Sequence, residues 1–194
     1  MTKQNRCTYI ISCLVVSFTF SACQGNSDKR YERQINSLSK NIGDTFKLNN
    51  ILDSAGKTVA LDFRKTDITI IDFWNNSCRP CIEEMTQFKD LLRGKEKVIS
   101  VVSISVNQFW VWKPTISEHK GVFSFLSDNV VNWKHYTLAT IQDAKLKNTI
   151  SFDRVEELQK RYNVTFFPAY FVVDKNGIIQ SRPQNAVTFI NQYK

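Results

Sequence analysis

The chain has 194 residues, of which 42% are hydrophobic and 23% are charged. This length predicts one domain, and this composition is typical of globular proteins rather than of disordered or collagen-like chains. The formal net charge is +8 at pH 7, yet no run of Lys and Arg is interleaved with aromatic residues. The sequence therefore predicts no nucleic-acid binding. The only long apolar run lies at the N-terminus, which excludes a multi-pass membrane protein.

The first residues have the pattern of an export signal. A short basic segment precedes a largely apolar run at 7–20, which is too short for the about 20 apolar residues that span a bilayer. Residues 20–23, Phe-Ser-Ala-Cys, resemble a bacterial lipobox, in which the signal is cut before a cysteine that becomes lipid-modified. We expect a lipoprotein signal peptide at 1–22 and lipidation of Cys23; an uncleaved anchor helix is the alternative. Either way, the rest of the chain would be held at a membrane, outside the cytoplasm.

A polar segment separates this signal from the folded part of the chain. Residues 23–43 are mixed in charge and show no sustained periodicity, which is typical of a tether. Hydrophobic patterning begins directly after this segment. We therefore place a single folded domain at 44–194.

Hydrophobic periodicity predicts the elements of this domain in chain order. They are an N-terminal hairpin, a buried strand, a helix, a second central strand, a second helix, and a strand that turns into a C-terminal hairpin, at 46–63, 68–74, 79–93, 98–106, 152–162 and 164–179. Strand, helix and strand in succession form a βαβ unit, so its strands are parallel and joined by a right-handed crossover. The segment 107–150 has several aromatic residues and no clean period. We interpret it as part helix and part insertion.

The cysteines suggest redox chemistry. Three of the five lie in the first 23 residues, which leaves Cys78 and Cys81 as the pair in the exported part. A Cys-x-x-Cys pair in an oxidising compartment is a candidate for thiol–disulfide exchange. A structural zinc site needs four ligands, and the two histidines, His119 and His135, do not have the spacing of zinc ligands. We predict no metal site.

Two motifs carry a resemblance to a known family. The segment Ile-Ile-Asp-Phe-Trp-Asn-Asn-Ser-Cys-Arg-Pro-Cys at 70–81 resembles the active-site strand, turn and helix start of the thioredoxin superfamily. Phe-Phe-Pro at 166–168 resembles its cis-proline loop. With the hairpin, the signal and the insertion, the chain is similar to membrane-anchored thiol–disulfide oxidoreductases of the TlpA/ResA type. The resemblance implies an α/β, thioredoxin-like fold: a central mixed sheet flanked by helices, with an N-terminal β-hairpin and an insertion at about 107–150 before the cis-proline half.

The resemblance also implies catalytic roles. A helix N-terminus aims N–H groups and the positive end of the helix dipole at Cys78, which favours its thiolate as the attacking group. Cys81 would be the resolving thiol. Asp72 would be the buried aspartate that moves protons to and from Cys81, because burial raises the pKa of a carboxyl group toward neutrality. The alternative for Asp72 is a strand-end carboxylate wetted by the loop.

Three more residues would bind substrate by resemblance. Pro168 would have a cis peptide bond and hold the backbone open for pairing with a substrate strand; an ordinary edge-strand proline is the alternative. Phe167 precedes it, and Trp74 would pack beside the cysteines; a place in the core is the alternative for a strand-end tryptophan. The expected partners are proteins with disulfides or dithiols and, upstream, a membrane electron donor such as a thiol-relay protein. No cofactor is predicted.

The chain departs from the superfamily pattern at three places. Ser77 stands where a tryptophan usually precedes the first cysteine, and Phe167 is bulkier than the usual residue before the proline. Thioredoxin pairs its buried aspartate with a lysine on the neighbouring strand, whereas 98–106 contains no lysine. These departures concern the substrate and the partner of the aspartate rather than the fold.

Two other functions remain open. Peroxiredoxins resemble this fold, but their reactive cysteine follows a Pro-x-x-x-Thr/Ser-x-x pattern that the residues before Cys78 do not offer. A lipoprotein binding module could use the fold as a scaffold, although a scaffold needs no paired reactive thiols.

Pro80 before the second cysteine resembles thioredoxin, whereas strong oxidants of the superfamily usually carry His there. The sequence therefore favours a reductant that acts in the cell envelope of a bacterium, facing the periplasm.

Overall fold

The computed structural model describes residues 40–49, 51–127, 130–138 and 152–193. The predicted signal peptide, Cys23 and most of the predicted tether lie outside these described residues. The end of the predicted tether, at 40–43, forms a turn. None of the helices in the described part of the chain is both long enough and apolar enough to cross a membrane.

The described residues form one mixed sheet with helices on both sides. In chain order the elements are β1 (Ile51–Leu52), β2 (Thr58–Val59), β3 (Ile68–Trp74), α1 (Arg79–Leu92), β4 (Ile99–Ser105), α2 (Phe109–Glu118), a 3₁₀ helix (Gly121–Ser127), β5 (Trp133–Thr137), α3 (Phe152–Tyr162), β6 (Ala169–Asp174), β7 (Ile179–Ser181) and α4 (Ala186–Gln192). The strand order is β2-β1-β5-β4-β3-β6-β7. Strands β3, β4 and β5 are parallel, and the other pairs are antiparallel. The predicted α/β sheet with an N-terminal hairpin is confirmed.

Strand β3 is an interior strand, between β4 and β6, with a core on each side. All seven of its residues are buried, as a strand covered on both faces requires. Successive side chains point to opposite faces. Ile70 and Trp74 join the core beneath α1, whereas Ile71 and Phe73 join the core on the other side. We call these sides the α1 face and the opposite face.

Helix α1 has the predicted start and ends one residue earlier than predicted, at Leu92. Its buried residues, Cys81, Met85, Phe88 and Leu92, recur every three or four positions and pack on the α1 face. Gly94 follows the C-cap with φ +77°, a left-handed conformation that glycine adopts without steric cost. The helix therefore holds its N-terminus, and Cys78 before it, at the end of β3.

The segment 107–150 contributes more to the sheet than the sequence predicted. Its described residues form α2, the 3₁₀ helix and β5, and β5 pairs in parallel with β4. Trp112 and Trp133 are buried in the core of the α1 face. The predicted helical part is confirmed by α2, whereas β5 was not predicted; 128–129 and 139–150 lie outside the described residues.

The strand predicted at 164–173 begins later than predicted. Strand β6 starts at Ala169, so Pro168 precedes the strand instead of lying within it. Proline has no N–H to donate to a neighbouring strand, which explains why the ladder begins after it. The alternative of an ordinary edge-strand proline is therefore wrong.

Candidate active site

The two cysteines of the predicted pair meet at the N-terminus of α1. Cys78 is the N-cap residue and forms a disulfide bond with Cys81. The Cys78 Sγ accepts a hydrogen bond from the Cys81 N–H at 3.3 Å. Pro80 lies in the first helical turn, where its missing N–H costs nothing. Cys78 is 7% exposed and Cys81 is 0% exposed, so a partner sulfur can approach the disulfide only from the Cys78 side.

Asn107, just before α2, forms hydrogen bonds to the loop between β3 and Cys78. Its side-chain Oδ1 accepts the backbone N–H of Asn76 at 2.8 Å, and its Nδ2 donates to the Asn76 Oδ1 at 2.9 Å. The Ser105 hydroxyl donates to the same Asn107 Oδ1 at 3.0 Å, and the Thr137 hydroxyl donates to the Asn107 backbone oxygen at 2.9 Å. Asn107 is 1% exposed. Sequence analysis missed it; the only signal is an asparagine directly after an apolar strand.

Asp72 is fully buried in β3, six positions before Cys78. Burial raises the pKa of its carboxyl group to about 7, a hydrogen bond from Ser103 opposes that rise, and the negative charge of Glu84 adds to it. Glu84 follows Cys81 by three positions on α1, so both lie on the same side of the helix. The alternative of a wetted strand-end carboxylate does not fit a side chain with 0% exposure.

Serine occupies the neighbouring-strand position beside Asp72. Ser103 pairs in register with Asp72, and its hydroxyl donates to the Asp72 Oδ2 at 2.8 Å. Ser103 in turn accepts a hydrogen bond from the Trp133 Nε1–H at 2.9 Å. On the other side, Tyr170 of β6 pairs with Asp72; burial first, and then the charge of Asp72, raises the pKa of the Tyr170 phenol. Sequence analysis named none of these three neighbours.

The Phe167–Pro168 peptide bond is cis, as the resemblance implied. Strand β6 follows it, and Ala169 pairs with Phe73 of β3. This register brings Pro168 beside the end of β3, where the loop to the cysteines begins. Phe167 is partly buried and packs against both cores, whereas Phe166 before it is 45% exposed.

Trp74, which the sequence placed beside the cysteines, is fully buried. Its ring lies 6.2 Å from that of Phe123 in the 3₁₀ helix, measured between centroids, and it shares the core cluster of the α1 face with Cys78 and Cys81. Trp74 therefore supports the site from within the core and exposes no surface to a substrate.

Neither histidine joins this site as a metal ligand. His119 is the C-cap residue of α2, and the ring of His135 packs against that of Trp133, tilted by 50° with centroids 4.6 Å apart. Burial lowers the pKa of His135 to about 3. Within the described ranges, no three His, Cys, Asp or Glu side chains are grouped as metal ligands.

Comparison with known proteins agrees with this geometry. Residues 42–182 match the model of the AhpC/TSA family. The chain belongs to the AhpC/TSA family. Among curated relatives of this AhpC/TSA chain, thiol-disulfide oxidoreductase ResA of Bacillus cereus is 24% identical over 179 residues, which cover 90% of this chain and 86% of the relative. ResA of Bacillus thuringiensis subsp. konkukian is 25% identical over 181 residues, with the same 90% and 86% coverage.

Solved structures share the fold of this AhpC/TSA chain. A thiol:disulfide interchange protein from Bacteroides sp. has a TM-score of 0.56 at 20% identity, over 80% of this chain and 88% of that one. The thioredoxin domain of a thiol-disulfide oxidoreductase from Bacteroides vulgatus has a TM-score of 0.54 at 18% identity, over 77% of this chain and 93% of that one. The predicted thioredoxin-like fold is confirmed, and so is the predicted enzyme class, a thiol–disulfide oxidoreductase.

Proposed function

We propose that this protein reduces disulfides of exported proteins through Cys78 and Cys81. One observation carries the proposal: a disulfide at the N-terminus of a 14-residue helix is open to solvent only at Cys78. A helix N-terminus stabilises the thiolate that attacks a disulfide. Cys78 is therefore the attacking thiol of the reduced protein, and the buried Cys81 is the resolving thiol.

The electrons move in two exchange steps. The Cys78 thiolate attacks one sulfur of the substrate disulfide, so a mixed disulfide forms and the other substrate sulfur leaves as a thiolate. The Cys81 thiol then loses its proton and attacks the Cys78 sulfur, which breaks the mixed disulfide and releases the second substrate thiolate. The substrate gains two electrons, and the enzyme ends with the Cys78–Cys81 bond of the present structure.

Asp72 accepts the proton that Cys81 must lose. Its burial raises the carboxyl pKa to about 7, so the group can take and release a proton near neutral pH. It lies on the α1 face of the sheet, where Cys81 is also buried. No exposed acid could serve a sulfur that solvent does not reach.

The cis-proline loop binds the polypeptide chain of the substrate. The backbone around Pro168 lies beside the end of β3 and is free to pair with an extended substrate segment. Phe167 lines this approach, and Trp74 supports it from the core. The substrates are thus proteins with a disulfide in an extended, accessible segment.

The N-terminal residues support a location of this activity at a membrane of the bacterial cell envelope. Cleavage after residue 22 leaves Cys23 as the lipidated first residue, and 23–43 tethers the domain of 44–194 so that it faces the periplasm. A membrane thiol-relay protein would return the Cys78–Cys81 pair to the dithiol, because reduction of a substrate consumes two electrons.

The test uses the full chain with Cys7, Cys13 and Cys23 replaced by serine, so that two sulfurs remain as nucleophiles. With insulin as the disulfide substrate, Cys81→Ser should accumulate a mixed disulfide through Cys78, visible by non-reducing electrophoresis and mass spectrometry. Cys78→Ser should form none and should lose turnover by more than about 1,000-fold.

Ser54→Ala is the matched control, because Ser54 is an exposed serine in the turn between β1 and β2; it should turn over insulin as the parent does. Consumption of hydrogen peroxide without reduction of insulin would instead establish a peroxidase. A binding module would be indicated if neither reaction depended on the cysteines.

A further inference from the structure

We propose that Ser103, held by Trp133, is a positioning residue that keeps the buried Asp72 able to exchange its proton. The inference deepens the proposed function, because it rests on the role of Asp72 as proton acceptor for Cys81. It concerns a residue that does not touch the reacting sulfurs and acts only through Asp72.

The Ser103 hydroxyl is placed by strand register. Asp72 and Ser103 are directly paired on β3 and β4, and both are 0% exposed. The hydroxyl donates to the Asp72 Oδ2 at 2.8 Å, and among the described residues the other carboxyl oxygen, Oδ1, has no hydrogen-bond partner. Since no solvent reaches this pair, water does not compete with Ser103 for the hydrogen bond to Asp72.

Trp133 fixes the direction of that hydrogen bond. An indole N–H can only donate, and it donates to the Ser103 Oγ at 2.9 Å. One acceptor position of Ser103 is thereby occupied, and the hydroxyl hydrogen remains available to Asp72. The indole is itself packed against three rings: it is stacked on Phe125 at 6.2 Å, edge-on to Phe88 at 5.4 Å and tilted against His135 at 4.6 Å. A donor polarised in this way makes a stronger bond to a carboxylate.

Apart from Ser103, the titratable groups that face Asp72 among the described residues supply no positive charge to its carboxylate. Glu84 on α1 repels the carboxylate, and the Tyr170 phenol on β6 stays neutral because its pKa is raised. His135, which pairs with Ser103 from β5, carries no charge at neutral pH because burial lowers its pKa to about 3. Cys81 on α1 is in the disulfide.

Ser103 is thus the group that opposes burial. Of the causes that shift the Asp72 pKa, the Ser103 hydrogen bond is the one that lowers it. Without it, the carboxyl group would hold its proton at neutral pH and could not accept another from Cys81. Burial and Ser103 together therefore place the titration in the range where a proton can move in both directions.

The experiment titrates Asp72 directly in the full chain that lacks the three N-terminal cysteines. The ¹³Cγ chemical shift of Asp72 is followed against pH in the oxidised protein, and the rate of mixed-disulfide resolution is followed in the reduced protein. Ser103→Ala should move the Asp72 midpoint up by about one unit and slow resolution at neutral pH by about tenfold. Ser103→Thr, which keeps the hydroxyl, should restore both.

Two further variants keep the test decisive. Ser100→Ala removes a hydroxyl from the same strand that bonds to Thr66 and Thr69 instead, so it should shift neither the midpoint nor the rate. Trp133→Phe keeps a ring but lacks the N–H, so it should shift the midpoint in the same direction as Ser103→Ala by a smaller amount. If Ser103→Ala does not fold, Trp133→Phe tests the same hydrogen bond in its place.

The outcomes separate the two claims. An unchanged Asp72 midpoint in Ser103→Ala and in Trp133→Phe overturns the inference, even where Asp72→Asn abolishes resolution and so supports the proposed function. A raised midpoint with unchanged resolution rates supports the coupling of Ser103 to Asp72 and contradicts the proton-transfer role of Asp72.

Discussion

The two faces of the central sheet are built from the same strands but from different chemistry. On the opposite face, Phe46, Phe73, Tyr162 and Phe171 form an aromatic cluster with ring centroids 5.0 to 6.4 Å apart. On the α1 face, strands β3, β4 and β5 bury the hydrogen-bonded row of Asp72, Ser103 and Trp133 beneath the helix that carries the cysteines.

This difference follows from strand alternation. Asp72 and Phe73 are adjacent in sequence, yet one belongs to the polar row and the other to the aromatic cluster. The side chains of β3 on the opposite face therefore contribute mainly to stability, and Asp72 on the α1 face contributes to reactivity. Substitutions on the opposite face should lower stability without altering the titration of Asp72, whereas substitutions in the polar row should alter that titration.

The largest expected effect on stability comes from the aromatic cluster. Phe73→Ala removes a fully buried ring that contacts Phe46 and Phe171, so it should lower the free energy of unfolding by roughly 3–5 kcal/mol. Urea denaturation measures this loss. The Asp72 midpoint should stay where it is in the parent; a shifted midpoint would show that the faces are not independent.

Asp72→Asn should change how the stability of the protein depends on pH. The native pKa of about 7 exceeds the ordinary value of 3.8, so the folded state binds the proton more tightly and wild-type stability falls as pH rises between these values. Asparagine removes this dependence. The variant should equal the wild type near about pH 4 and exceed it by at most roughly 4 kcal/mol above about pH 7.

Urea denaturation at several pH values measures that difference. Asp67→Asn is the control, because Asp67 is an exposed carboxylate just before β3; its effect on the free energy of unfolding should be small. A stability gain of Asp72→Asn that is the same at acid and neutral pH would mean that the carboxyl group does not titrate there.

A smaller effect is expected at the loop before Cys78. Asn107→Ala removes both side-chain hydrogen bonds to Asn76, so the loop should be less well positioned and the second-order rate of insulin reduction should fall by about tenfold. Asn132→Ala is the matched control: Asn132 is also buried but bonds to the backbone of Leu92 and Ile99. It should lower stability with little change in rate; equal rate losses would contradict a specific role of Asn107.

Periodicity was sufficient for the elements with strong patterns. The bounds predicted for β3 and α3, 68–74 and 152–162, are those of the structure. Strand β5 was missed because Trp-Lys-His-Tyr-Thr at 133–137 is mostly polar. Helix α4 was also not predicted, since it is short and is held by tertiary contacts: Glu84 accepts the Ala186 N–H at 3.0 Å, and Lys95 donates to the Ile190 oxygen at 2.8 Å.

Only part of the candidate site could be predicted from the sequence, because some of its residues come together only through the pairing of strands. Cys78, Cys81 and Asp72 lie in one continuous motif, which the resemblance could identify. Ser103 and Asn107 belong to the next strand and the residues after it, and their roles depend on which residues of β4 lie beside β3. Sequence alone does not give that register.

The reduction potential of the Cys78–Cys81 pair decides whether the protein can act as a reductant. It is measured in the full chain with Cys7, Cys13 and Cys23 replaced by serine, by equilibration with thiol buffers of known potential. A reductant of exported proteins should have a value near the roughly −270 mV of thioredoxin. A value above roughly −180 mV, the range of disulfide isomerases and oxidases, would contradict the proposed direction of electron flow.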